Sequence, residues 1–246
     1  MQDLTGGNSN QVRREGNTVI RQSGVWSPFV HQLLQHLTRE GFTESPIALA
    51  LTETTETLSF LEGTVGNIPL LPFMQSDAVL IGAAQLLRRF HDATASFIVP
   101  DDAEFFLPSE ADNPHEVICH NDFAPYNCVF RDGHPVGMID FDTASPGTRL
   151  WDVAYTVYRF VPLMTDIHCM ANGWEIPPDR ATRLRLFCDT YGLNNRDALL
   201  DTIIHRLEAL IRFMQDTGSN LEHIPLYTDD IAYIRANQTT LEAALF

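Results

Sequence analysis

Between Ser27 and Arg39 the apolar residues Phe29, Val30, Leu33, Leu34 and Leu37 recur at helical intervals, which predicts an amphipathic helix. Ser27-Pro28 reads as its N-cap and first helical residue, and Gly41 as its stop. Asp77 to Thr94 (DAVLIGAAQLLRRFHDAT) carries the same period further, and residues 179–191, 196–215 and 228–244 predict three more amphipathic helices. Ahead of the first helix the pattern shortens. A run before Gly16-Asn17 and Thr18-Val19-Ile20-Arg21 after it predict a hairpin, and Ile47 to Thr52 and Thr57 to Leu61 predict two more strands. Val117-Ile118-Cys119 and Cys128-Val129-Phe130 are short β-like runs on either side of the polar turn HNDFAPYN, residues 120–127. The Pro/Asp-rich stretch 99–114 and Trp174 to Pro178 read as surface loops. The texture changes at Glu62-Gly63-Thr64. This predicts an α+β chain with a small sheet plus one helix in residues 1–62 and a larger, mainly helical part in residues 63–246.

Charge narrows the function. The net charge of -16 over 246 residues argues against a nucleic-acid binder, which needs clustered positive charge. All 16 cationic side chains are arginines, so a Schiff-base lysine, a P-loop lysine and the usual nucleotide-anchoring lysine of protein kinases are excluded. Cys119, Cys128, Cys169 and Cys188 form no C-x-x-C pair and read as reduced structural thiols. The polar N-terminus and the lack of an apolar run of 18 residues predict a cytoplasmic protein with no membrane or nucleic-acid partner, monomeric or homodimeric.

The polar turn raises the chemical question. Phosphoryl transfer needs a carboxylate to orient an attacking hydroxyl and take its proton, and oxygen ligands to hold Mg²⁺ against nucleotide phosphates. His120, Asp122 and Asn127 match the H-x-D-x-x-x-x-N spacing of a kinase catalytic loop. Asp140 and Asp142 follow the β-like run Val136 to Ile139, where a second metal-binding carboxylate is expected.

With these residues in order, the chain resembles the aminoglycoside phosphotransferase family, a small-molecule branch of the protein-kinase-like fold that also includes choline and homoserine kinases. GNSNQVRREGNTVIR is similar to the family's phosphate loop and following strand, SFLEG to its hinge, LLRRFHD to a family helix, and WDVAY to the Asp-bearing helix after the metal site. The resemblance implies a two-lobed fold that transfers the γ-phosphoryl group of ATP or GTP, with Mg²⁺, to a hydroxyl of a small acceptor such as an aminoglycoside. It implies Asp122 as catalytic base, His120 as support of its loop, and Asn127, Asp140 and Asp142 at the metal. It places Ser9, Asn10 and Arg21 at the phosphates and the hinge at Ser59, Phe60 and Leu61 on the nucleobase, with Asp152 bracing the catalytic loop.

The chain departs from the family's pattern in ways that carry a second expectation. Arg21 stands where the family has lysine. No Asp or Glu lies between Glu15 and Glu40, so the first helix has no glutamate to pair with it, and His31 is the nearest polar substitute. About four residues precede the Gly-rich turn, which leaves little or no first strand. These features fit a catalytically idle, kinase-like binding protein; a metal-dependent hydrolase is a further alternative. His91 reads as a hydrogen-bonded core histidine, Arg13 and Arg14 as edge-strand residues or phosphate contacts, and Phe141, Trp151, Tyr155 and Tyr158 as core. Asp166, Glu175 and Asp179 lie where an acidic pocket for a polyamine would form, or are ordinary acidic surface.

Overall fold

The computed structural model describes residues 2–4, 12–107 and 115–246. Gly16, with φ of 60°, closes the hairpin where Gly16-Asn17 predicted it, between β2 (Val12–Glu15) and β3 (Thr18–Gln22). A three-residue first strand, β1 (Gln2–Leu4), pairs antiparallel with β2, so the short N-terminus does supply an edge strand. After α1 (Ser27–Arg39) come β4 (Ala48–Leu51) and β5 (Thr55–Ser59), and the sheet order is β1-β2-β3-β5-β4. β5 begins two residues earlier than its side-chain pattern predicts. Thr52 closes a tight turn, its Oγ1 accepting from Thr55 N at 3.0 Å, and strand pairing resumes at once.

α1 spans the predicted residues, but Trp26 is its N-cap and Ser27 is already helical, because Ser27 Oγ accepts from Gly24 N at 3.0 Å. Phe29, Val30, Leu33, Leu34 and Leu37 are all buried, each contributing roughly 1.5–3 kcal/mol.

The second part starts with β6 (Thr64–Val65) and α2 (Asp77–Thr94), the latter capped by Ser76 Oγ on Val79 N. β7 (Val117–Cys119), β8 (Cys128–Arg131), β9 (His134–Met138) and β10 (Ser145–Gly147) form two small antiparallel sheets, β6-β8-β9 and β7-β10. Helices α3 (Arg149–Phe160), α4 (Asp166–Ala171), α5 (Arg180–Tyr191) and α6 (Leu199–Thr217) follow. Asp179 caps α5 rather than opening it, and α4 is a short helix that the sequence pattern did not predict, started by Thr165 Oγ1 on His168 N. The predicted helix 228–244 is two, α7 (Ile224–Ala236) and α8 (Gln238–Ala244). Asn237 divides them by turning its Nδ2 back onto Tyr233 O at 2.8 Å.

α2 is the central column, packing on α5, β9, β7 and α1 and thereby joining the N-terminal sheet's helix to the small sheets that carry the polar turn. All four cysteines are buried and free. Among the described residues no helix is long and apolar enough to cross a membrane.

Candidate active site

The turn at 120–127 is built from the backbone outward. Asn121 has φ of 65°, a left-handed conformation that a non-glycine residue holds only with help. The help is a buried carboxylate: Asp152 Oδ2 accepts from His120 N and Oδ1 from Asn121 N, each at 2.8 Å. Asp152 Oδ2 also accepts from His91 Nε2 at 2.9 Å, and His91 Nδ1 lies 2.6 Å from Tyr191 Oη, so His91 is a hydrogen-bonded core residue, as its helical face predicted. Arg206 Nη2 donates to Asn121 O at 2.8 Å, and Asn121 Nδ2 donates to Thr143 O and Ser145 Oγ. His120 is fully buried, with Nε2 donating to Ile139 O at 3.0 Å, so it ties the turn to the strand that leads to Asp140.

This scaffold presents Asp122. Tyr126 Oη donates to Asp122 Oδ1 at 2.5 Å and Asn127 Nδ2 to Asp122 Oδ2 at 2.9 Å, the five-residue spacing closing into a direct contact. Burial pushes the Asp122 carboxyl above its ordinary range and Asp140 adds to this, while the Tyr126 hydrogen bond, His120 and Arg159 pull the other way. Tyr126 Oη is also 2.8 Å from Tyr155 Oη, so Tyr155 is a polar support of the site as well as a core residue. Sequence pattern could not show this, since an aromatic at helical spacing reads as core whether or not its hydroxyl is used.

Arg21 reaches across from β3. Its Nη1 donates to Asp140 Oδ1 at 2.9 Å and its Nη2 to Asp142 Oδ1, while Nε lies 2.8 Å from Glu56 Oε1 as an ion pair, off the N–H direction. Burial opposes the guanidinium charge, and Asp142, Asp140 and Glu56 outweigh it, raising its pKa. Asp142 is pushed up to about 6 by burial, against the pull of Arg21. The carboxylate partner missing from α1 is thus supplied by β5, where Glu56 faces Arg21 in register, and His31 of α1 holds Glu56 from behind at 3.0 Å. In sequence Glu56 alternates with Leu58 as a strand residue would, but its burial and its register opposite Arg21 are set by the fold. Arg21→Met is expected to cost about 3 kcal/mol or more by leaving buried Glu56 and two neighbouring carboxylates without their shared cation, as read by urea unfolding. An unchanged midpoint would show that the cluster is solvated.

The hinge candidates lie at the end of β5. Ser59 N donates to Ile47 O and Phe60 N to Asn17 O, so both N–H groups are committed to the sheet, and Leu61 packs close to Gly137. Arg14 stands 3.6 Å over the Phe60 ring and pairs with Glu62 at 3.0 Å, which sets it against the hinge candidates. Ser9 and Asn10 lie outside the described residues.

Oxygen donors at Asn127, Asp140 and Asp142 suit Mg²⁺, which needs only one or two carboxylates plus phosphate and water. No cluster of three or more His, Cys, Asp or Glu placed to hold a metal ion occurs among the described residues. The carboxylates of Asp140 and Asp142 are 43% and 22% exposed, so solvent reaches both.

The N-terminal antiparallel sheet and the helical C-terminal part form a kinase-like phosphotransferase fold, and the chain belongs to the phosphotransferase enzyme family (APH), whose sequence profile matches residues 102–182. It is 32% identical over 259 aligned positions to the trifolitoxin immunity protein of Rhizobium leguminosarum bv. trifolii, spanning 98% of this chain and 97% of that one. The fold is shared with the GDP complex of wild-type aminoglycoside 2'-phosphotransferase-IIIa (TM-score 0.65, 13% identity, 96% of this chain and 92% of that one). It is shared also with the Plasmodium vivax ethanolamine kinase (TM-score 0.61, 11% identity, 96% and 84%).

Proposed function

We propose that this protein transfers the γ-phosphoryl group of a nucleoside triphosphate to a hydroxyl of a small acceptor, with Asp122 as the base. The observation that carries the reading is the Asp122 carboxylate, set on a turn braced by Asp152, oriented by Tyr126 and Asn127, and close enough to Asp140 to feel its charge. The acceptor oxygen forms a bond to the γ-phosphorus as the bond to the β-phosphate oxygen breaks. The hydroxyl proton passes to Asp122, and the diphosphate leaves. Asn127, Asp140 and Asp142 would hold Mg²⁺, which supplies neutralisation of phosphate charge. Arg21 would turn from the two aspartates toward the phosphates, and the hinge at Ser59, Phe60 and Leu61 would bound the nucleobase. A relative named for immunity to a toxin supports a protective role, in which a toxic compound is the phosphate acceptor; an aminoglycoside is one candidate.

A second reading, a kinase-like protein that binds without turnover, is favoured by one observation: Arg21 already spans Asp140 and Asp142. Calorimetry with ATP and GTP on the wild type and on Asp140→Ala separates the two. Mg²⁺-dependent binding that is lost in the variant is expected for the phosphotransferase. Nucleotide bound with no release of ADP or GDP on prolonged incubation, or no binding at millimolar nucleotide, would favour the idle protein.

A further inference from the structure

Next to the 120–127 turn, Arg159 of α3 opens into a narrow notch that it shares with Ile68, Leu70, Tyr126, Met164 and Trp174. Its guanidinium stands over the rings of Tyr126 at 5.2 Å and Tyr158 at 5.5 Å. Its Nε is buried without a hydrogen-bond partner, and among the described residues no carboxylate pairs with it. That is unexpected in a chain with 32 acidic side chains and 16 arginines. Arg149 is matched with Asp92, Arg180 with Asp166 and Arg183 with Asp77, while Arg206, the other arginine at the turn, is held by the carbonyl of Asn121. Asp122 acts on Arg159 only from beyond ion-pair distance, its two oxygens already taken by Tyr126 and Asn127. A half-buried guanidinium with no counter-ion is costly, and a site that keeps one beside its reacting carboxylate is short of an anion.

We propose that Arg159 recognises an acidic group on the phosphate acceptor, so that the acceptor is a hydroxyl compound carrying a carboxylate or similar anion on an apolar body. The inference rests on the phosphotransfer reading and narrows its acceptor to an anionic compound in place of a polycationic aminoglycoside. Of the three acidic residues placed for a polyamine, Asp166 is engaged by Arg180 and Asp179 caps α5, which leaves the exposed Glu175. The notch leaves room for about one water-sized group, so one oxygen of the acidic group enters it and the apolar body lies along Ile68, itself 50% exposed, and Trp174.

The probe is a matched set of hydroxyl compounds: phenyllactate, its neutral amide, and the ammonium analogue phenylalaninol. Their binding to the full chain is followed by ligand-observed NMR. Phenyllactate is expected to bind at least about tenfold more tightly than either analogue, a preference that Arg159→Gln removes and Arg159→Lys partly keeps. Equal or tighter binding of the amide or of phenylalaninol to the wild type overturns the proposal. So does a preference that survives Arg159→Gln, or no detectable phenyllactate binding at millimolar concentration. If the variants do not fold, the wild-type ranking alone decides. Calorimetry with Mg²⁺ and nucleotide on the same wild-type sample, followed by release of ADP or GDP, reports on the nucleotide site and its turnover, so a failed anion preference and a failed phosphotransfer reading are told apart.

Discussion

Asp122→Asn is expected to lower kcat for phosphoryl transfer by about 10²–10⁴-fold, with the melting temperature almost unchanged. The amide keeps the volume of the side chain and one acceptor oxygen, so the contact with either Tyr126 or Asn127 is kept and the other is weakened, at about 1 kcal/mol of stability. What it loses is the capacity to take the hydroxyl proton. The same assignment has a pH signature. Only the ionised carboxylate accepts a proton, and burial holds the Asp122 pKa above its ordinary value, so activity is lost with falling pH earlier than for an exposed aspartate. Tyr126→Phe removes a hydrogen bond that favours the charged form, and the acid limb of the rate profile is expected to move to higher pH. Steady-state kinetics across pH on the two variants checks both statements; wild-type kcat in Asp122→Asn would reject Asp122 as the base.

Asp152→Ala is expected to cost about 3–5 kcal/mol and to abolish activity along with it. Asp152 is fully buried and touches none of the residues proposed to meet substrate, yet it satisfies the N–H groups of His120 and Asn121 and the ring of His91. Alanine leaves three buried donors without an acceptor and releases the left-handed backbone at Asn121 on which Asp122 is carried. The pH dependence has a definite sign. Burial raises the Asp152 pKa, but the His91 hydrogen bond, the charges of His91 and His120 and the His120 N–H outweigh it, so the net shift is downward. A carboxylate with a depressed folded pKa contributes stability above its unfolded value of about 3.9 and loses it as pH falls through the folded value. Urea unfolding is therefore expected to show a large gap between wild type and Asp152→Ala at neutral pH, narrowing in acid. A constant gap would mean that the carboxylate charge is irrelevant to the brace.

Much of this architecture was legible in local pattern. The helices at 27–39 and 77–94 have the predicted bounds because their apolar residues repeat within a few turns, and Gly16-Asn17 closes its hairpin because a glycine tolerates the required backbone. The His120-to-Asn127 turn was visible because Asp122 and Asn127 interact over five residues, a separation that sequence spacing records. Boundaries were lost where a single side chain overrode the pattern, at Thr52, Ser27 and Asn237.

The rest is a matter of distance along the chain. Arg21 meets Asp140 across 119 residues, Arg206 meets Asn121 across 85, and Asp152 reaches the turn from 31 and 32 residues beyond. No periodicity encodes such meetings, because they follow from how α2, α3 and the two small sheets pack, not from neighbours in sequence. The residue types of a phosphotransferase were therefore set down by the chain itself. The tertiary structure decided that Glu56 rather than a helix glutamate would hold the arginine, and that Arg159 would stand without a carboxylate beside Asp122. Ion pairing and desolvation depend on which groups share a buried volume, and only the folded chain defines that volume.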